Sequence, residues 1–468
     1  MATSQIKEGT RRTLSTQRQQ NRQSLLLSKR HLLLPPPENT STHAEILITN
    51  LQPLFQTFRK PNTRQCFEAL KRLNAFFFES STSNDQNRYI NAFFVDGDRI
   101  VHSLVGVFTN FNLNDARTQV EAGVCLANLC CTKDPKQQLM LARLATPYFV
   151  AFLADGVETT RISLAVASLH GLGNLVSESK GNTKLGEVLM SQNVLETIGV
   201  LVGHNDGQVR EAAVFALEST ISSMFKSEEL TSNAIGNLIR FQPKFFASLF
   251  DSLNEIYKEP GLVGNAVYGH CARIIFLLSS TIKSFPMPSI DHIRICLAVI
   301  QISRSNWNLA LIFPLWRAFG ALLARSDPDN TSAFFSPETV SVFFDLAISF
   351  LQSPYVPLRK ETLWVLSNYF TCDYRRNQFF ESGEITNRFL CPLVSSVIEV
   401  AGLALCKVTI RLCLFVLYNA FATTDNVLSR MPDDAKNYVS SQLTKLGEME
   451  IENDDDREIL AALIDMNT

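Results

Sequence analysis

The chain lacks a glycine-rich phosphate loop, a GxSxG elbow, and any His, Asp and Ser set in a fitting structural context. With them goes the usual equipment for phosphoryl and acyl transfer, so the chain reads as a non-enzymatic protein. Its ten cysteines include no CxxC pair, and its seven histidines form no HExxH or similar ligand pair. Neither a zinc centre nor any other metal or cofactor is therefore expected. Most of the cysteines fall in apolar helical patterns, where a reduced thiol packs as a small hydrophobe, which fits a reducing compartment. Acidic pairs such as Glu228-Glu229 look like solvated helix faces.

Charge is scarce too, at 19% of residues against 46% hydrophobic, the balance of a well-buried soluble protein. A net charge of -2 argues against a generally basic nucleic-acid binder. Long uncharged apolar runs are missing. In the most apolar region, Phe389 to Thr424, Glu399, Lys407 and Arg411 break up any stretch of the roughly 18 to 20 residues needed to cross a bilayer, so no transmembrane insertion is expected. The N-terminus is polar and basic where a secretory signal would be apolar, so no such signal is expected.

What charge there is lies unevenly. Residues 1–42 carry Lys7, Arg11, Arg12, Arg18, Arg22, Lys29 and Arg30, with Glu8 as the one acid before Arg30. Leu25 to Leu27 and Leu32 to Leu34 add apolar contacts, and Pro35, Pro36 and Pro37 end any helix and begin a linker. Such a segment is flexible alone and becomes helical against an acidic partner. A solvated tail, or one attracting nucleic acid non-specifically, is the alternative. At the other end, residues 426–468 are acidic, with Asp433, Asp434, Glu448, Glu450, Glu452, Asp454, Asp455, Asp456 and Glu458. Ile459, Leu460 and Leu463 mark a last helix there, which reads as a polar cap on a repeat array or as a surface folding back onto the basic N-terminus.

Between them, residues 43–425 read as short helices with short polar breaks and little β-alternation. One helical pattern recurs, at Glu121 to Leu129, Ser168 to Leu175, Glu211 to Glu218, Leu315 to Gly320, Leu363 to Asn368 and Leu414 to Asn419, with weaker Cys271 to Ile275 filling the gap. Cys66 to Phe77 would be the first of the series. Its end positions 128, 174, 218, 275, 320, 368 and 419 follow at steps of 44 to 57 residues. A period in the forties built of two or three helices is that of armadillo or HEAT repeats. The expected fold is thus all-α, a right-handed superhelical solenoid of about eight repeats with a concave groove lined by third helices.

Trp364 and Asn368 stand four apart, which places ring and amide on one helical face. A ring there can stack on aliphatic stems or attract a cation, and an amide can bond an extended backbone. The alternative for a single such pair is a core tryptophan beside a helix-ending asparagine.

Taken together, a segment with Arg11-Arg12 and Ser28-Lys29-Arg30 followed by about eight armadillo repeats resembles the importin-alpha (karyopherin-alpha) family. Asn21 to Leu33 and Leu169 to Ser179 are more similar still to its importin-alpha-like animal group named transmembrane and coiled-coil domain-containing protein 6. The resemblance implies a nuclear-import adaptor, cytoplasmic and nuclear. Its N-terminal Arg11, Arg12, Arg18, Arg22, Lys29 and Arg30 would bind an importin-beta-like receptor, and its groove would take cargo with an extended basic segment. The implied cargo-groove residues are Asn128, His170, Asn174, Glu178, Trp316, Trp364, Asn368, Phe415 and Asn419. Val124, His170 and Val214 stand where the family usually has Trp. A lysine stem between two indoles gains about 1–2 kcal/mol per site and replacing the ring by Val removes much of that, so the groove around Trp316, Trp364, Asn368, Phe415 and Asn419 is expected to be the better-kept surface. An armadillo scaffold or dedicated chaperone that has lost classical signal binding is the second reading.

Overall fold

A pair of helices buries one apolar stripe and leaves another bare, so a chain of such pairs is stable only when each bare side meets the next pair. A computed structural model shows that stacking. It describes residues 63–465 apart from 81–89, 92, 95–98, 110–115, 155–160, 178, 180–181, 225–227, 242–243, 282–289, 326–335, 405, 422–430, 449–450 and 452. Those described residues are helices joined by turns, with no strand among them. The basic segment 1–42 and Glu178 lie outside them. Contacts gather into two compact units, Met1–Ser248 and Leu249–Thr468, so the boundary falls inside the stretch 43–425.

In the first unit, α1 (Thr63–Ser80), α2 (Arg99–Thr109) and α3 (Ala116–Leu129) open the series. A three-helix repeat follows, α4 (Pro135–Leu144), α5 (Thr146–Ala154) and α6 (Ile162–Ser177). The next is α7 (Thr183–Ser191), α8 (Val194–Leu201) and α9 (Gly207–Met224), after which comes α10 (Glu228–Phe241). The starts are written in the turns. The Asp134 side chain accepts from the Lys136 N–H at 2.8 Å while Pro135 occupies a first-turn position that needs no donor. Long third helices lie one against the next, α3 on α1, α6 on α3 and α9 on α6. Close approach sets some residue choices: a Cβ at Gly173 of α6 would stand 2.5 Å from the Phe215 ring of α9.

The unit boundary lies within α11 (Phe245–Lys258). The second unit continues with α12 (Ala266–Thr281), α13 (Ile290–Arg304), α14 (Leu309–Arg325), α15 (Pro337–Leu351) and α16 (Val356–Phe370). Then come α17 (Asp373–Glu381), α18 (Gly383–Gly402), α19 (Lys407–Phe421), α20 (Asp433–Gly447) and α21 (Asp454–Asp465). Helices α12, α14, α16, α19 and α21 form one layer, each on the next, and α13, α15, α18 and α20 form the other. Among the described residues α13–α14 and α15–α16 are two-helix, HEAT-like repeats, and α17–α19 has the three helices of an armadillo unit. The acidic end, α20 and α21, is the last rung of the same stack and buries Val439, Leu443, Leu446, Leu460 and Leu463.

Between the layers, Trp316, Phe343, Phe344, Phe350, Tyr369, Phe370 and Phe379 are fully buried. Each such ring contributes about 1.5–3 kcal/mol on leaving water. Arg375 is buried with them, donating from Nε to the Tyr369 carbonyl at 3.0 Å and from Nη2 to those of Asn368 at 2.8 Å and Leu323 at 3.1 Å. One guanidinium thus serves late carbonyls of α14 and α16, which have no partner further along their helices.

The period recurs in hydrogen bonds. Asn174 reaches back 47 residues, Asn368 back 48, Trp316 forward 46 and Arg376 forward 43, each to a neighbouring repeat. The fold is all-α and of armadillo/HEAT type. No described helix is long and apolar enough to cross a membrane.

Candidate functional site: the third-helix face of the second unit

Spacing by four carries side chains along one helical face. On α16 that gives Lys360, Trp364 and Asn368, and on α19 it gives Lys407, Arg411, Phe415 and Asn419. All are half-buried except Lys407, which is exposed, as is Tyr418 beside Asn419. Helices α16 and α19 pack together, so these two rows are neighbours. Trp364 lies on Gly320 of α14, where a Cβ would stand 2.2 Å from Cζ3 of the ring. Glycine is what admits the indole there.

Trp316 does not belong to this row. It is fully buried, its indole N–H donates to Thr362 Oγ1 at 3.1 Å, and its ring lies 5.2 Å from that of Phe343 and 5.1 Å from that of Phe350. The expectation of a displayed ring was out of phase by one residue, for α14 is apolar almost all round and has Pro314 inside it. The neighbour that reaches the surface is Arg317, its side chain 11% exposed. Its Nε stands 2.8 Å from Glu361 Oε1 of α16, as a close ion pair without hydrogen-bond alignment, and its guanidinium lies 4.8 Å from the Phe276 ring centroid.

The asparagines also differ from expectation. Asn174 is buried and donates to the Ala127 carbonyl at 2.9 Å. Asn368 donates to the Gly320 carbonyl at 3.1 Å, and Asn419 to the Ser367 carbonyl at 3.3 Å and to Ser367 Oγ at 3.0 Å. These amides sew adjacent third helices together. Among the described residues no group donates to Oδ1 of Asn368 or Asn419, which leaves the acceptor end for a visitor.

In the first unit the row is weaker. Val124 and Val214 are buried, His170 packs its ring 5.4 Å from that of Phe215, and the enclosed Asn128 amide nitrogen has no hydrogen-bond partner among the described residues. The structure therefore brings together Trp364, Asn368, Phe415 and Asn419, while Trp316 lies in the core and the Asn174 amide is spent on Ala127. Sequence reasoning missed the cations Lys360, Lys407 and Arg411 of the same rows, although their spacing by four from Trp364 and Phe415 was the available signal.

The face is cationic. Helices α14, α16 and α19 bring Arg317, Lys360, Lys407 and Arg411 to it, and their one carboxylate, Glu361, is 2% exposed against Arg317. The Arg411 Nε is 2.6 Å from Asp456 of α21, and Asp454, Asp455 and Glu458 are exposed on that last helix. Across the first turns Lys360 meets Cys406, whose thiol burial pushes up but whose pKa the backbone N–H groups of Val408 and Thr409 and the lysine together bring below its ordinary value. An extended basic segment would meet like charge on this face.

No protein-family model matches the chain. No curated protein matches it either. Solved structures match the fold. An engineered protein is similar at TM-score 0.55 and 15% identity over 89% of this chain and 98% of its own. A second engineered protein gives TM-score 0.41 and 15% identity over 58% and 96% of the two chains. Computationally designed armadillo repeat proteins for modular peptide recognition give 0.41 and 14% over 58% and 99%. The first of these likenesses extends over most of the chain and speaks for the fold alone.

Proposed function

We propose that this chain is a non-enzymatic adaptor that binds an extended segment of another protein along the third-helix face of its second unit. The observation that carries this reading is the pair of neighbouring rows on α16 and α19. There Trp364 and Phe415 stay half exposed beside the open acceptor ends of Asn368 and Asn419. Apolar rings flanked by amides grip a chain that brings no secondary structure of its own.

The importin-alpha resemblance gives this adaptor a use, protein import into the nucleus, with Arg11, Arg12, Arg18, Arg22, Lys29 and Arg30 engaging an importin-beta-like receptor. Such a protein works in both cytoplasm and nucleus. A pull-down with importin-beta tests it. Full-length protein is retained at low salt and released as salt rises. Changing Arg11, Arg12, Lys29 and Arg30 to Ala abolishes retention. Equal retention by wild type and variant, or none by either, sinks the transport reading.

The second reading is a scaffold or dedicated chaperone that has lost classical signal binding. Val124 and Val214, both buried, and His170, packed on Phe215, favour it. Partner recovery by the full-length Trp364→Ala, Asn368→Ala double variant, with helicity checked by circular dichroism, tests the face itself. Unchanged recovery from a folded double variant removes the face from both readings.

A further inference from the structure

We propose that the segment taken by the α14, α16 and α19 face is acidic, an extended stretch of Asp and Glu alternating with apolar side chains. The inference rests on the adaptor reading and names the chemistry of its partner. On three successive third helices the described rows hold Arg317, Lys360, Lys407 and Arg411 beside a single carboxylate, and Arg317 already holds that carboxylate, Glu361. Lys360 and Lys407 stand in the early turns of α16 and α19, where the positive end of each helix dipole adds to their charge. Lys360 reaches the Cys406 thiol at the start of α19, so the two helix starts and their cations share one edge of the face. Toward α21 the character reverses, with Asp456 on Arg411 and Asp454, Asp455 and Glu458 exposed, which bounds the cationic stretch at α19.

Two features favour a protein segment over nucleic acid. The acceptor ends of Asn368 and Asn419 call for N–H donors, which a peptide backbone supplies and a phosphate backbone does not. Trp364 and Phe415 are each only half exposed, Trp364 with its ring lying on Gly320, which suits aliphatic side chains more than stacked bases. Packed helices stand about 8–10 Å apart, and an extended chain advances about 3.3–3.6 Å per residue, so roughly three partner residues cross each repeat. Acids at every second or third position would keep pace with the lysines.

The test is fluorescence anisotropy on the full-length protein with three labelled probes of equal length: a Glu/Leu peptide, the same peptide with Lys for Glu, and oligouridylate. The Glu/Leu peptide is expected to bind and to weaken with salt. The Lys360→Glu, Lys407→Glu double variant lowers its affinity by about tenfold or more, with unchanged circular dichroism. The milder Lys360→Gln variant lowers it less and guards against misfolding of the first. Tighter binding of the Lys peptide overturns the acidic assignment and leaves the adaptor reading standing. Failure of both peptides overturns both. Oligouridylate bound in preference to the Glu/Leu peptide, or indifference of either variant, also overturns this proposal.

Discussion

At Gly320 one hydrogen atom decides whether a tryptophan can lie on its neighbour helix. An Ala there would put Cβ 2.2 Å from Trp364 Cζ3 and 2.8 Å from Val365 Cγ2, both on α16. Replacing a mid-helix glycine returns about 1 kcal/mol of helix propensity, whereas overpacking of a tight contact costs about 1–3 kcal/mol. Val365 is fully buried and cannot swing aside, so overpacking prevails. Gly320→Ala is expected to lower the thermal midpoint and to shift tryptophan emission to the red as Trp364 is pushed outward. A raised midpoint with unchanged emission would show that the ring does not rest there. The residue scale is also where sequence reading failed, and for a physical reason. Trp and Asn each serve equally well inside and outside: Trp316 spends its N–H on Thr362, and Asn174 spends its amide on Ala127. Residue type records neither choice.

Helix starts are more legible, because the chemistry that satisfies them is local. Asp134, Asn182 and Ser336 each accept from a first-turn N–H two or three residues ahead. Cys406 serves α19 in the same way, and reactivity follows. Burial pushes the thiols of Cys66 to about 11 and Cys296 to about 12, and those of Cys125, Cys130 and Cys413 higher still. Cys406 alone among the shifted thiols is lowered, against its burial, by the Val408 and Thr409 N–H groups and by Lys360. Limiting iodoacetamide at about pH 8, read by peptide mass spectrometry, should modify Cys406 ahead of those five, since the thiolate is the nucleophile. Lys360→Gln should slow that reaction, and an equal rate would separate the two helix starts.

A second element-scale consequence concerns α11 and α13, where Phe250 and His292 stack with ring centroids 4.1 Å apart. Burial lowers the His292 pKa, outweighing the charges of Asp251 and Asp291. The fold thus prefers the neutral ring. Above the unfolded value of about 6.5 the preference has no effect on stability, and below it folding loses stability as protonation is favoured in the unfolded chain. The thermal midpoint should therefore fall more in wild type than in His292→Gln between about pH 7.5 and pH 5.5. Equal falls would assign the acid sensitivity elsewhere.

At the scale of the molecule, the period was legible because each third helix must bury small and apolar residues against two neighbours, and that demand returns once per repeat. The number of helices in each repeat was not, since short first helices such as Asp373–Glu381 carry little apolar signal of their own. Charge sign was visible in the sequence too, but its meaning waited on α14, α16 and α19 being neighbours. That neighbourhood bears on whether the basic segment 1–42 could fold back onto the chain's own face. Lys7, Arg11, Arg12, Arg18, Arg22, Lys29 and Arg30 would there meet Lys360 and Lys407. Like charges across a shared surface repel, and the repulsion grows as salt is lowered. Removal of residues 1–42 is accordingly expected to leave the affinity of the Glu/Leu peptide within about twofold at low salt, measured by anisotropy beside the full-length protein. A segment lying in the groove would instead compete with the probe. Its removal would raise affinity, and that rise would assign the face to the chain's own N-terminus despite the charge.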